Sequence, residues 1–175
     1  MTNFFQHIEQ HRDFPVPGVV FFDFTTIHEQ KDLLEEATSR LLEKTQDIIF
    51  DKIAAVEAKG FILGTAIALR TNKPLTLVRK PGLIPGDVLA VEFVKEYGVG
   101  RYEMKAGSVK PRERVLVVYD ILAGPGATRA VIDLIEEQGG VMAAGVYVTE
   151  LLYLGGREAL TGYNLYSLVQ IENKP

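Results

Sequence analysis

The sequence predicts an α/β fold built on a parallel sheet, with a β-hairpin inserted on the sheet's ligand side. Short apolar runs without alternation, such as Val115-Leu116-Val117-Val118 behind Arg114, are what strands buried on both faces require. They alternate with segments of 3.6-residue apolar period, the order that lays helices over a parallel sheet. The loops behind the strands carry glycines and cations, and in such a sheet ligands bind outside the carboxyl ends of the strands.

From Thr2 to about Gln10, Phe4, Phe5 and Ile8 stand at helical spacing and predict a short helix, followed by the turn-rich Asp13-Phe14-Pro15-Val16-Pro17-Gly18. Leu33, Leu34, Ala37, Leu41 and Leu42 predict an amphipathic helix from about Lys31 to Thr45. Lys52 to Val56 is a strand, Gly60 to Arg70 a helix and Pro74 to Val78 a second strand. Leu89 to Glu103 alternates apolar and polar residues around Tyr97-Gly98-Val99-Gly100, the pattern of a hairpin that can serve as a lid. Arg114 to Val118 is a strand, and Thr128 to Gln138 is a helix ended by Gly139-Gly140. Val141 to Thr149 and Leu165 to Ile171 complete the sheet. No internal repeat, low-complexity tract or linker interrupts the chain, so residues 1–175 are expected to form one domain.

With 47% apolar and 24% charged residues, the composition is that of a globular protein. There is no cysteine, which excludes disulfides, thiolate metal sites and cysteine nucleophiles and agrees with a cytoplasmic setting. A net charge of −4 supplies no global positive field for a nucleic acid. No apolar stretch approaches the roughly 20 residues of a membrane helix, and the start of the chain lacks a signal-peptide layout, so no membrane partner is expected.

The chemistry gathers behind three strands. After Val118 comes Tyr119-Asp120-Ile121-Leu122-Ala123-Gly124-Pro125-Gly126-Ala127-Thr128, a small-residue loop that opens into a helix. Backbone N–H groups in such a loop can approach a phosphate while the helix terminus adds partial positive charge, although a tight strand-to-helix turn has the same composition. The glycine spacing fits neither a Walker A loop nor a dinucleotide fingerprint. Glu57-Ala58-Lys59-Gly60 follows Val56, and Arg79-Lys80-Pro81-Gly82 follows Val78. Each sets cations at a strand end, where two could clamp a polyphosphate or simply face solvent. Glu96 and Tyr97 lie on the hairpin, as a proton carrier and an aromatic cover or as ordinary hairpin surface. His7 and His11, four apart on the expected first helix, have metal-ligand spacing without a third ligand and read as an exposed pair. No nucleophile elbow is present.

In order along the chain, several segments resemble the adenine phosphoribosyltransferases of the type I family. They are Asp13-Phe14-Pro15, Pro17 to Phe21 with Asp23, Gly60-Phe61, Arg79 to Gly82 with Pro85-Gly86, Glu96-Tyr97-Gly98, Val115 to Ala123, and Gly155-Gly156-Arg157-Glu158. The likeness covers nearly the whole chain. It implies the parallel-sheet type I phosphoribosyltransferase fold with a hairpin lid. It also implies transfer of a phosphoribosyl group from magnesium-bound phosphoribosyl pyrophosphate (PRPP) to adenine, or to another purine, giving AMP and pyrophosphate. By position, Ala123, Gly124, Pro125, Gly126, Ala127 and Thr128 would cradle the 5-phosphate. Asp120 would face the ribose hydroxyls, and Lys59, Arg79 and Lys80 the pyrophosphate. Backbone groups of Val20, Phe21 and Phe22 would read the base, Glu96 would handle the proton, and Tyr97 would close the lid. The metal, Mg2+, would be held mainly through PRPP rather than by a protein site, with Asp120 the nearest protein candidate. The resemblance also implies a homodimer.

The chain departs from the family pattern in places. Tyr119-Asp120 stands where two adjacent acids are usual, and Ala123-Gly124-Pro125-Gly126-Ala127 where the pattern is Ala-Thr-Gly-Gly-Thr. Two hydroxyls and the N–H of Pro125 are thereby missing from a cradle whose bonds to a charged group contribute about 1.5 to 3 kcal/mol each. Lys59 and Phe22 replace arginines, Ala58 a serine and Leu83 a lysine. Two readings stand at this point: a divergent working transferase, or a paralogue that binds nucleotide as a regulator or non-catalytic subunit.

Overall fold

The computed structural model describes residues 2–95 and 98–174; Glu96 and Tyr97 lie outside the described residues. The chain opens with one 3-10 turn, Phe4–His7, in which the Asn3 side chain accepts the Phe5 N–H at 3.2 Å. The expected helix ends there. From Glu9 the chain is extended, and strand β1 (Glu9–Arg12) pairs antiparallel with β2 (Val20–Asp23), His11 opposite Phe21. The intervening turn explains the difference. Asp13 at φ +56° and Gly18 at φ +84° fold the chain back, and the Gly18 N–H donates to Asp13 Oδ1 at 2.7 Å. His7 and His11 therefore share no helix. Helix α1 (Thr25–Glu29), absent from the sequence reading, leads into α2 (Lys31–Lys44), which buries Leu33, Ala37, Thr38 and Leu41 as its periodicity predicts.

The central sheet has seven strands. β3 (Lys52–Val56) and β4 (Leu75–Arg79) are joined by α3 (Gly60–Thr71). The hairpin strands β5 (Val88–Lys95) and β6 (Gly98–Lys105) follow. β7 (Arg114–Leu122) then leads through α4 (Gly126–Glu136) to β8 (Val141–Leu151). A 3-10 turn at Leu152–Leu154, the short α5 (Gly156–Ala159) and β9 (Leu165–Ile171) complete the chain. The order is β5-β6-β4-β3-β7-β8-β9, with β4-β3-β7-β8-β9 all parallel. The hairpin is as expected, but it also belongs to the sheet, because β6 runs antiparallel to β4 through Val78↔Met104 and Arg79↔Glu103.

Alternate residues of the buried strands face two different cores. Ile53, Leu116 and Val118 join Leu41, Leu63 and Ile67 under α2 and α3. Ala54, Val56, Val115 and Val117 join Val131, Leu134 and Ile135 under α4. Burial on both faces is why these runs carry no polar alternation. α3 lies so close to the sheet that a Cβ on Gly60 would sit 2.6 Å from the Val118 carbonyl oxygen.

β7 runs four residues past its expected end at Val118. Tyr119 pairs with Tyr147, Ile121 with Thr149 and Leu122 with Glu150, so what reads as a loop has ladder partners on β8. Helix α4 correspondingly starts at Gly126 rather than Thr128, with Pro125 at φ −73° as its N-cap, a dihedral already suited to a helix start.

Candidate functional site

The strand order reverses between β3 and β7: β4 follows β3 on one side, and β7 lies on the other. Ligands bind at such a switch point, outside the carboxyl ends of the strands. A cleft of about 1010 Å³ opens there. The loop Ala123 to Thr128 forms one wall, Glu57 with Lys80-Pro81 a second, and the hairpin residues Glu92 to Val94 and Val99 to Tyr102 a third. Tyr119 and Ile121 form the floor beside them. A Cβ on Gly126 would come 2.3 Å from the Val94 carbonyl oxygen, so only glycine lets the hairpin cross the first turn of α4 this closely.

Carboxylates hold the β4 loop in place. Glu57 Oε2 accepts from Arg79 Nε and from the Lys80 N–H, both at 3.1 Å, and Glu103 Oε2 accepts the Gly82 N–H at 2.9 Å. The remainder of Arg79 is engaged too: Nη1 donates to the Leu83 carbonyl at 2.9 Å, and the guanidinium lies 6.0 Å from the Phe61 ring centroid. The Glu57–Ala58 peptide is cis. Lys80 is exposed at the cleft.

Lys59 joins β2 to this region. Its Nζ donates to Asp23 Oδ1 at 3.0 Å and sits 5.0 Å from the Phe21 ring centroid and 4.9 Å from that of Phe24. The hydroxyl of Thr25 and, next, Lys59 hold the Asp23 carboxyl down at about 2. His28 faces the same cluster with its Nε2 enclosed and unpartnered, and burial followed by the Lys59 charge lowers its pKa. Asp120, on β7, is half-buried with Oδ1 enclosed and without a hydrogen-bond partner. Burial pushes this carboxyl above the ordinary range, while Lys59 pulls the other way.

The structure thus gathers Lys80 with Ala123, Gly124, Pro125, Gly126, Ala127 and Thr128 on one cleft, and Lys59 with Phe21 and Asp120 in a second neighbourhood beside it. Phe22 is 3% exposed and points into the core, so the β2 backbone and the half-buried Val20 and Phe21 are what face outward. The Thr128 hydroxyl does not face the cleft as a substitute for the missing hydroxyls. It is bonded to the Tyr147 hydroxyl at 3.0 Å beneath α4, leaving its backbone to the loop.

Sequence reasoning missed several cleft residues. The Tyr102 and Tyr119 hydroxyls are 2.8 Å apart and tie the hairpin to the floor. Burial pushes Tyr102 up to about 12 and Tyr119 higher still, so both stay neutral phenols at neutral pH. Tyr119 forms the floor without filling the cleft. Glu57 and Arg101 at the cleft, and Glu103, which holds the β4 loop beside it, were missed because strand-end and alternating charges look like surface until the strands are paired. Gly156 is a further support: a Cβ there would lie 2.0 Å from the Ala123 carbonyl oxygen. Among the described residues, no three His, Cys, Asp or Glu side chains converge on a metal-sized site. None of the described helices is long and apolar enough to cross a membrane.

Comparison with known proteins agrees with this arrangement. The chain is 42% identical over 158 residues to the adenine phosphoribosyltransferase of Rubrobacter xylanophilus, spanning 90% of this chain and 85% of that protein. The adenine phosphoribosyltransferase structure from Thermoanaerobacter pseudethanolicus superposes with a TM-score of 0.92 at 34% identity, covering 96% of this chain and 98% of that one. The Saccharomyces cerevisiae enzyme, solved with adenine and an imino-altritol bisphosphate, gives a TM-score of 0.85 at 27% identity, covering 94% and 96%. No family model matches the chain.

Proposed function

The chain belongs to the adenine phosphoribosyltransferase family, and on that premise we propose that it transfers the 5-phosphoribosyl group of PRPP to N9 of adenine, giving AMP and pyrophosphate in purine salvage. The observation that carries this reading is the cleft at the β3–β7 switch point, walled by the small-residue loop that opens α4 and by the cation-bearing β4 loop.

In this reading the first turn of α4 and the N–H groups of residues 124 and 126–128 hold the 5-phosphate. Lys80 faces the pyrophosphate, and Lys59 and Arg79 shape the site through Asp23 and Glu57. Asp120 accepts from the ribose hydroxyls, which would supply the partner that its Oδ1 lacks. The backbone of Val20 to Phe22 reads the base edge, Glu96 takes the N9 proton, and Tyr97 closes over the site. The growing positive charge on the ribose is met by fixed carboxylates in a partly dry cleft. A Mg2+ arriving on PRPP would keep water and phosphate oxygens as its main ligands, and Asp120, with its unpartnered Oδ1, is the protein carboxylate in the same site that could reach it. When bound, that ion neutralises charge on the departing pyrophosphate. A cytoplasmic setting and a homodimer belong to the same reading; the exposed Phe5, Val94 and Val99 offer apolar surface for a second copy, and light scattering measures it.

The test is AMP formation from adenine and PRPP with magnesium, run beside Glu96→Ala and Asp120→Ala. Turnover by the parent chain that both substitutions abolish supports the proposal. No turnover with adenine, hypoxanthine or guanine, alongside tight AMP binding, overturns it in favour of a nucleotide-binding paralogue.

A further inference from the structure

We propose that Arg101, on the hairpin, is a pyrophosphate-binding residue that works with Lys80 across the cleft. The inference rests on the transferase reading above. Of the three cations expected at the pyrophosphate, two are committed to protein partners: Lys59 to Asp23, and Arg79 to Glu57 and the Leu83 carbonyl. Among the described residues that line the cleft, the cations are Lys80 and Arg101.

Arg101 is available for this role. Its side chain is 46% exposed, and its ion pair is a single contact from Nη2 to Glu103 Oε1 at 3.3 Å. The other oxygen of Glu103 already accepts the Gly82 N–H, so this carboxylate anchors the β4 loop and orients Arg101 at the same time. A guanidinium offers five donors in a rigid fork that matches phosphoryl oxygens in pairs, so most of its capacity is open to a ligand. Two acids, Glu57 and Glu92, share the lining. Glu57 is satisfied by Arg79 and the Lys80 N–H, and Glu92 stands opposite Arg101 in the β5–β6 ladder.

The cradle explains why such a cation matters here. Gly124-Pro125-Gly126-Ala127 carries no hydroxyl, Pro125 has no N–H, and the Thr128 hydroxyl is bonded to Tyr147. The loop can offer only backbone donors. Positive charge on PRPP's phosphates must come from elsewhere on the cleft wall, and Arg101 supplies it from the hairpin.

Arg101→Gln and Arg101→Lys decide the matter through two readouts: the KM for PRPP in AMP formation, and calorimetric titration with magnesium pyrophosphate. Arg101→Gln is expected to raise the PRPP KM by about tenfold or more, the worth of one charge-assisted contact. It should weaken pyrophosphate binding in parallel while leaving the adenine KM unchanged. Arg101→Lys, which keeps the charge and loses the fork, should fall between. Pyrophosphate binding equal in the parent chain and in both variants, or absent from the parent, overturns the inference. If the parent forms no AMP yet binds pyrophosphate and Arg101→Gln does not, the transferase reading falls and the Arg101 assignment stands.

Discussion

Asp120 holds an unpaired carboxylate oxygen in an enclosed position, an arrangement that costs folding free energy and that a ligand can recover. Because its pKa is raised in the folded chain, the native state holds the proton more tightly than the unfolded state does. The cost is therefore absent below about pH 4, the ordinary carboxyl range, and grows as pH rises above it. Asp120→Asn should melt higher than the parent at pH 7.5, the gap should close toward pH 4, and AMP formation should fall at every pH. A lower melting temperature at pH 7.5 would refute this account. Asp120 is named by the sequence as a site residue, but its unsatisfied oxygen is not, since that depends on what packs around the end of β7. The same holds for Thr128, whose hydroxyl reads as a cradle donor until Tyr147 is placed beneath it.

At the scale of elements, two supports set the shape of the cradle loop. One is the hairpin, whose Val94 carbonyl crosses Gly126. Gly126→Ala must push the hairpin or the first turn of α4 aside, an overpacking that costs about 1 to 3 kcal/mol. Thermal unfolding should show that loss, and the PRPP KM should rise more than the adenine KM. The other support is α5. Arg157 grips Glu150 through Nε and Nη2, both at 2.6 Å, and Nη1 donates to the Leu165 carbonyl at 3.0 Å. Glu150 is 1% exposed and also accepts from Ser167 and Gln170; burial pushes its carboxyl up, but these donors hold it below the ordinary range. Arg157→Ala strands a buried charge and should cost about 3 kcal/mol, read as a fall in denaturation midpoint. Periodicity made α2, α3 and α4 legible to within a residue or two, because each buries one apolar stripe. The first segment misled, since three apolar residues at helical spacing cannot outweigh a turn that pairs Glu9–Arg12 with Val20–Asp23.

At the scale of the whole molecule, one sheet reaches from the hairpin to β9, and the switch point between β3 and β7 brings residues far apart in sequence to one opening. The Lys59–Asp23 pair fastens the amino-terminal hairpin to that opening. Because the Asp23 pKa is lowered to about 2, its contribution to stability is present above about pH 4 and is lost as pH falls toward 2. Asp23→Asn should therefore melt below the parent at pH 7 and match it near pH 2. A constant gap across that range would place its effect elsewhere. Composition and periodicity alone determined the α/β class, helices α2, α3 and α4, most of the strands, the hairpin and the glycine-rich loop, because each follows from which faces of a local segment must leave water. The strand order, the extension of β7, the commitment of Lys59 and Arg79 to protein carboxylates, and the presence of Arg101 and Tyr102 at the cleft were decided only by tertiary structure. Those features depend on contacts between segments tens of residues apart, for which no local pattern of burial or spacing carries a signal.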